Sequence, residues 1–326
     1  MARTSIQPET VPEVQALTRP VPPGGAAWDE VFWLKTADGL NLRAAVWSPK
    51  APRGLVILST GRTEFLERAS MPAAGFSERG FTVVSVEWRG QGLSDRLLED
   101  PLKGHVEDFA DYRTDLAALL ASDHVTGHPG PVLVVGHSMG GAIAAGALLR
   151  QEMTARAAIL SAPLFGVKMG AVARRVAYGS VALARMLGKL DKWPPFGDMR
   201  TPYVFSGFKD NCLTQDEEVF AWLVEAITEE PRYGLGMPTF GWMAAARRET
   251  DWLVDPARGQ MPCPSLCVLG AEERVVDAEA VREAAPRMGI ELAEIAGARH
   301  EPFMEAEPMR AATWAAIDGF LERQGL

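Results

Sequence analysis

The chain has 326 residues, of which 47% are hydrophobic and 23% are charged, a composition typical of globular rather than disordered proteins. Its formal net charge of -9 repels nucleic-acid phosphates at long range, which argues against a nucleic-acid partner. The three cysteines are an odd number, which argues against a disulfide framework. Cys263 and Cys267 lie in or beside an apolar run and are interpreted as core residues rather than metal ligands.

The beginning of the chain is rich in proline and lacks the apolar middle of a signal peptide. Residues 1–27 are therefore predicted to form an extended arm. No later run reaches the roughly 18 apolar residues that a membrane-spanning helix needs. The sequence accordingly predicts a cytoplasmic protein.

A β-hairpin is predicted first, since apolar runs at 31–34 and 42–47 flank the turn signal Asp38-Gly39. Continuous apolar runs, typical of strands buried on both faces, then cover 54–59, 81–86, 132–135, 157–160, 266–269 and, more weakly, 290–295. Segments of helical period separate them, one after Glu64 and others over 109–121, 138–151, 278–287 and 308–321. This alternation predicts an α/β fold, a mostly parallel sheet with helices on both faces.

One interval interrupts the alternation of strands and helices. Residues 163–260 contain no buried-strand run and are far too many for a loop. They are interpreted as a helical cap that is inserted late in the sheet and covers its C-terminal edge. The core then consists of residues 28–162 and 261–326.

The sharpest local signal is the segment 136–140, Gly-His-Ser-Met-Gly, which follows a predicted buried strand and precedes a helix of small residues. A serine on such a tight strand-to-helix turn needs small neighbours and is exposed at the C-terminal edge of the sheet. Ser138 is therefore the candidate nucleophile. The N–H of Met139, at the start of the helix, is a candidate oxyanion donor.

A serine nucleophile needs a base and an acid, which follow it along the chain in the order acid, histidine. Among the five histidines only His300 lies after the predicted cap, so it is the candidate base. The ring of His137 cannot reach the adjacent serine. His124 and His128 have the spacing of metal ligands but no third ligand nearby, and no metal is predicted.

The acid is expected after the run 266–269, where Glu272, Glu273 and Asp277 compete. Glu273, three residues past Gly270, is favoured, with Asp277 as the alternative. A second oxyanion donor is expected after the run 54–59. There Gly61 permits close backbone approach, and the Arg62 N–H would face the substrate oxygen.

These segments, from about Trp33 to Phe320, resemble bacterial lysophospholipases and the related monoacylglycerol lipases. The further segments that carry this resemblance are 61–64, 87–94, 103–112, 211–214 and 236–242. Two departures stand out: the usual aspartate of the acid loop is Glu273 here, and the usual histidine before Gly61 is Thr60.

The resemblance implies that a single-chain acyl ester is hydrolysed with no metal or organic cofactor. It matches Ser138 and His300 to the nucleophile and base of the family, and Arg62 and Met139 to its oxyanion residues. The preferred function is therefore that of a serine carboxylic-ester hydrolase, which cleaves lysophospholipids or monoacylglycerols through an acyl-enzyme.

Large apolar side chains in and around the predicted cap fit an acyl-chain tunnel, in which each buried methylene contributes roughly 0.8 kcal/mol. Most are expected to pack the cap onto the core. An exposed subset is a candidate for transient contact with a membrane surface, which would make the protein peripheral to the inner face of the membrane. The set comprises Phe165, Met169, Tyr178, Leu183, Met186, Leu187, Trp193, Phe196, Phe205, Phe208, Phe220, Trp222 and Trp242.

Other functions use the same three residues. A small-molecule esterase, a lactonase or an acyltransferase would share the triad, and dependence on acyl-chain length separates these from a lipase. Epoxide and haloalkane hydrolases are disfavoured because they carry an aspartate at the position of Ser138. The remaining alternative is a non-catalytic binding protein on this scaffold, which labelling of Ser138 by a fluorophosphonate would exclude.

Overall fold

Eight strands form one sheet in the computed structural model, which describes residues 21–195 and 197–326. Across the sheet they lie in the order β1-β2-β4-β3-β5-β6-β7-β8. The pairs β1–β2 and β2–β4 are antiparallel, and all other neighbouring pairs are parallel. The strands are β1 (Glu30–Lys35), β2 (Asn41–Trp47), β3 (Gly54–Ser59), β4 (Phe81–Val86), β5 (Val132–His137), β6 (Ala157–Ser161), β7 (Ser265–Gly270) and β8 (Ile290–Ile295).

Helices follow most of the parallel strands, and two hydrophobic clusters pack against the sheet. The helices of the core are α1 (Leu66–Glu78), α2 (Phe109–Leu120), α3 (Asp123–Thr126), α4 (Met139–Leu149), α8 (Ala278–Arg287) and α9 (Met309–Arg323). The predicted α/β fold class is confirmed. His124 lies in α3, which is a single helical turn.

The burial of the strands explains how visible they are in the sequence. Every residue of β3, β4, β6 and β7 is buried, which gives the continuous apolar runs. The weak run at 290–295 forms β8, an edge strand in which only the first and last residues are buried. The other four residues are exposed or half-buried, so the apolar pattern is diluted there.

Between β6 and β7 the described residues contribute no strand to the sheet. They form the helices α5 (Ala171–Met186), α6 (Glu217–Glu229) and α7 (Phe240–Leu253), with short 3-10 helices at Tyr203–Ser206, Phe208–Asp210, Pro231–Tyr233 and Pro256–Arg258. This late helical insertion agrees with the predicted fold. The division at 28–162, 163–260 and 261–326 stays a prediction.

The predicted N-terminal arm covers residues 1–27, of which 1–20 lie outside the described part of the chain. Residues 21–27 form a turn without helix or strand, closed by a hydrogen bond from the Gly25 N–H to the Pro22 carbonyl. The three cysteines are free, with Cys267 buried in β7 and the other two half-buried.

Candidate active site

Ser138 connects β5 to α4 in a strained turn. Its backbone has φ 51° and ψ −117°, a left-handed conformation that L-residues rarely adopt. The turn fits only because its neighbours are small: a Cβ on Gly140 would lie 2.0 Å from the Ser59 carbonyl oxygen. The sharp turn aims the Ser138 hydroxyl away from the strand and towards His300.

The structure brings Ser138, His300 and Glu273 together. His300 Nε2 lies 3.0 Å from Ser138 Oγ, and His300 Nδ1 lies 2.7 Å from Glu273 Oε2. All three residues are buried. With the ring proton on Nδ1, the imidazole donates to the carboxylate and accepts from the serine hydroxyl, which is the geometry of a serine nucleophile with its base and orienting acid.

The three competing carboxylates occupy different positions. Glu273 is buried, and its Oε1 accepts the N–H groups of Val275 at 2.6 Å and Val276 at 3.1 Å. Glu272 is exposed. Asp277 accepts the Ala280 N–H at the start of α8 and forms an ion pair with Arg174 at 3.3 Å. Of the three, Glu273 is the carboxylate in contact with His300.

The environment keeps Glu273 ionised. Burial alone would raise the pKa of its carboxyl group, but the adjacent His300 and the two N–H donors outweigh burial and hold the pKa below its ordinary value. An ionised Glu273 can stabilise the imidazolium that would form if His300 took a proton.

The two candidate oxyanion donors come from two different segments of the chain. Met139 begins α4, and Arg62 lies in the loop after β3. Among the described residues neither backbone N–H has a protein acceptor, so both are available to a substrate oxygen. The Arg62 loop is tight, since a Cβ on Gly61 would lie 2.8 Å from a Glu64 carboxylate oxygen.

Gln91, to which the sequence analysis gave no role, braces the Arg62 loop. Its side-chain oxygen accepts the Thr63 N–H at 2.7 Å, and its side-chain nitrogen donates to the Gly61 carbonyl at 3.2 Å. Gln91 thus contacts the residues on both sides of Arg62. Gln91 lies in the segment 87–94, which carries part of the family resemblance. That resemblance was the feature of the sequence that could have indicated a role for it.

The insertion also holds the His300 loop, through backbone hydrogen bonds. The His300 N–H donates to the Cys212 carbonyl at 3.3 Å, and the Glu301 N–H donates to the Leu213 carbonyl at 3.0 Å. The side chain of Asn211 in turn accepts the N–H groups of Leu213 and Thr214. Residues 211–214 therefore fix the backbone at His300, the candidate base.

A cavity of about 620 Å³ lies between the insertion and the core, lined mainly by residues of α5 and α7. Leu164, just before the cavity-lining Phe165, donates its N–H to the Ser138 carbonyl at 2.9 Å. Most of the lining is apolar, with polar groups including Arg174, Arg247 and Asp277. The apolar and aromatic part comprises Phe165, Val167, Met169, Ala173, Val176, Ala177, Tyr178, Pro194, Met199, Met237, Pro238, Trp242, Met243, Ala246 and Ala280.

One group of possible metal ligands lies among the described residues: nitrogen and oxygen atoms of His137, His300 and Glu301 are within 4.8 Å of one another. However, both ring nitrogens of His300 already face Ser138 and Glu273, and the Glu301 carboxylate is paired with Arg68. These donors therefore belong to the arrangement around the triad.

Comparison with known proteins agrees with the fold. The family Hydrolase_4, described as serine aminopeptidase S33, matches residues 50–307. Lysophospholipase L2 of Escherichia coli K12 is 30% identical over 82% of this chain and 80% of its own length. A monoacylglycerol lipase of Mycolicibacterium smegmatis is 30% identical over 82% and 89%.

Among solved structures, a soluble variant of monoglyceride lipase from Saccharomyces cerevisiae has a TM-score of 0.72 at 17% identity, covering 94% of this chain and 99% of that one. A carboxyl esterase from Bacillus coagulans has a TM-score of 0.70 at 16% identity, covering 91% and 99%. Both structures share the fold of this chain, the α/β-hydrolase fold. The chain therefore belongs to the serine aminopeptidase S33 family of α/β-hydrolases, together with the lysophospholipases and monoacylglycerol lipases.

Proposed function

We propose that this protein hydrolyses the carboxylic ester of single-chain lipids, lysophospholipids or monoacylglycerols, through an acyl-enzyme on Ser138. The observation that carries the substrate class is the largely apolar cavity of about 620 Å³, whose lining includes Phe165, the residue after the Leu164 that donates to the Ser138 carbonyl. A methylene group needs roughly the volume of a water molecule, about 30 Å³. The cavity can therefore hold a long acyl chain, whereas an acetyl group would leave most of it empty.

The reaction has two steps in this proposal. His300 takes the hydroxyl proton as Ser138 Oγ attacks the ester carbonyl carbon, and the N–H groups of Met139 and Arg62 bind the oxyanion. His300 then protonates the departing alcohol. In the second step His300 takes a proton from water, which attacks the acyl-enzyme, and the fatty acid leaves from Ser138. Glu273 orients His300 and stabilises its charged form throughout.

The first residues of the insertion and α5 are proposed to contact a lipid surface. Residues 163–190 contain five Lys or Arg and no Asp or Glu, in a chain whose net charge is -9. Along α5 and just beyond it, the exposed apolar residues fall within an arc of about 100° at the helical period. They are Val172, Val176, Leu183, Met186 and Leu187, exposed by 75, 53, 55, 84 and 58%.

This apolar face lies next to the cavity, because Val176 belongs to the exposed face and also lines the cavity. Basic side chains on α5, Arg174, Arg175 and Arg185, suit anionic headgroups. A lipid could pass from the surface into the cavity without crossing open water. No helix among the described residues is long and apolar enough to cross a bilayer.

The cytoplasmic side of the membrane is the proposed place of action. The three free cysteines support this, because free thiols persist in a reducing compartment.

The proposal is tested by fatty-acid release from a series of esters that differ only in acyl-chain length, run as lysophosphatidylcholines, monoacylglycerols and p-nitrophenyl esters. We expect kcat/KM to rise with chain length until the cavity is filled, and the headgroup series identifies the preferred alcohol. A preference for acetate and butyrate esters would instead favour the small-molecule esterase. Transfer of the acyl group to an added alcohol in preference to water would favour the acyltransferase.

A further inference from the structure

His137, the residue before the nucleophile, has no part in the proton transfers above, yet it lies against the triad. It is the last residue of β5 and is buried. Its ring centroid lies 4.9 Å from that of His300, and its Nδ1 lies 3.3 Å from Ser161 Oγ. Nε2 faces two carboxylates, Glu301 Oε1 at 3.2 Å and Glu64 Oε1 at 3.5 Å.

Four buried ionisable residues form one group here, which we call the rear cluster: His137, Glu64, Glu301 and Arg68. The Arg68 guanidinium is paired with the Glu301 carboxylate. When His137 is protonated, two positive and two negative charges balance. A neutral His137 would leave one carboxylate without compensation in a buried site, which is costly.

The charges around His137 favour its protonated form. Burial and the nearby Arg68 act to lower the pKa of His137, but the carboxylates of Glu301 and Glu64 outweigh them and raise it to about 9. Burial would likewise raise the pKa of Glu301, but Arg68 and His137 hold it far below its ordinary value. His137 and Glu301 are therefore both charged near neutral pH.

Each member of the rear cluster belongs to a different part of the active site. Glu64 ends the loop that carries Arg62, His137 precedes Ser138, Glu301 follows His300, and Arg68 lies in α1. The space between these side chains is only about 10 Å³. That is room for about one water molecule and too little for a substrate alcohol, so the cluster acts through the groups it holds rather than by binding substrate.

We propose that His137 is a charged positioning residue that holds the Arg62 loop and the His300 loop in register with Ser138. Loss of its proton leaves Glu64 and Glu301 with Arg68 as the one cation of the cluster, so the two loops lose their common partner. The groups that face the His137 ring are Glu64, Glu301, Ser161 and His300, with Arg68 behind Glu301.

The first test is the pH dependence of the wild-type enzyme on p-nitrophenyl butyrate, a short ester that does not depend on the proposed lipid substrate. We expect kcat to fall reversibly above about pH 9, where His137 loses its proton. A kcat that is unchanged from about pH 8 to about pH 10 would overturn the proposal without any variant.

The second test is His137→Asn, which removes the charge and keeps a small polar side chain. We expect kcat to fall by about 10²-fold, the effect of a misplaced catalytic group, and the alkaline fall to disappear. KM should stay within about twofold, because His137 does not touch substrate. A raised KM with wild-type kcat, or a wild-type pH profile, would contradict a positioning role.

The matched control is His124→Asn, on α3 and remote from the triad, which should behave like wild type.

Glu301→Gln provides an independent variant, with the same expected loss of kcat. In the double variant His137→Asn, Glu301→Gln we expect a loss no larger than that of either single variant, because both act through one unit. Multiplicative losses would show that the two residues act separately and would reject the cluster. If p-nitrophenyl butyrate is turned over but no lipid ester is, the proposed substrate class fails, while the tests of His137 on the short ester still decide the positioning role.

Discussion

Glu273 reaches His300 from a loop in which its carboxylate also accepts two backbone N–H groups. Glu273→Gln keeps the shape but removes the charge and favours the wrong ring tautomer of His300. We expect kcat to fall by about 10⁴-fold, as for the comparable change in a serine protease triad. The measurement is steady-state turnover of a p-nitrophenyl ester.

The neighbouring Glu272 gives a matched control for this change. It is exposed and has no contact with His300, so Glu272→Gln should keep the wild-type kcat. Equal losses in the two variants would mean that the charge of the loop, and not the contact with His300, matters. A fully active Glu273→Gln would remove Glu273 from the triad.

The rear cluster also makes stability depend on pH. Because the pKa of His137 is raised from 6.5 to about 9 on folding, its stabilisation is complete below about pH 6.5 and is lost as the pH rises through about 9. Glu301 has a lowered pKa, so its contribution is present above about pH 4.5 and is lost in acid. We expect the thermal midpoint to be highest between about pH 4.5 and about pH 6.5, where both contributions are present.

Thermal unfolding of wild type and His137→Asn across this pH range checks the assignment. The variant should be less stable near neutral pH, and the difference should shrink as the pH rises past 9. A constant difference at every pH would mean that the charge of His137 does not contribute to stability.

At the level of single elements, α5 carries the proposed lipid contact. Replacing Arg174, Arg175 and Arg185 by Gln should weaken binding to vesicles that contain phosphatidylglycerol, because exposed cations contribute about 1 kcal/mol each near an anionic surface. Binding should also weaken with salt. Co-sedimentation with anionic and with purely phosphatidylcholine vesicles measures both effects. Equal binding of wild type and variant to anionic vesicles would argue against this face.

The same helix forms one wall of the cavity, so its small residues should limit acyl-chain length. Ala177 lines the cavity, and Ala177→Phe should fill part of it and shift the preferred p-nitrophenyl ester to shorter chains. The control is Ala182→Phe, at an exposed position of α5 outside the lining. An unchanged chain-length profile in Ala177→Phe would show that the acyl chain lies elsewhere.

How well the sequence predicted each element follows from what the element contacts. The buried parallel strands have apolar runs that local pattern reveals, and the strained elbow at Ser138 needs glycines that appear within a few residues of it. By contrast, α5 buries only Ala184, so its apolar residues did not indicate which would line a cavity and which would face solvent. Which residues of α5 line the cavity depends on its packing against α7 and against residues far along the chain.

For the whole molecule, long-range contacts set the limit of prediction. The order Ser138, Glu273, His300 could be predicted because the fold fixes it, whereas the choice of Glu273 over Asp277 depends on a loop conformation. The rear cluster joins residues 64, 68, 137 and 301, and no local pattern links them. Such a cluster is visible only once the sheet has brought their segments together.

In the proposed function, Ser138 is the nucleophile that releases fatty acid from a long-chain lipid ester. The most direct measurement is the rate of fatty-acid release from a long-chain lysophospholipid and a long-chain monoacylglycerol by wild type and by Ser138→Ala. We expect wild type to hydrolyse at least one of them and the variant to lose about 10⁶-fold in kcat. Equal rates for the two proteins, or no release by either, would contradict the account.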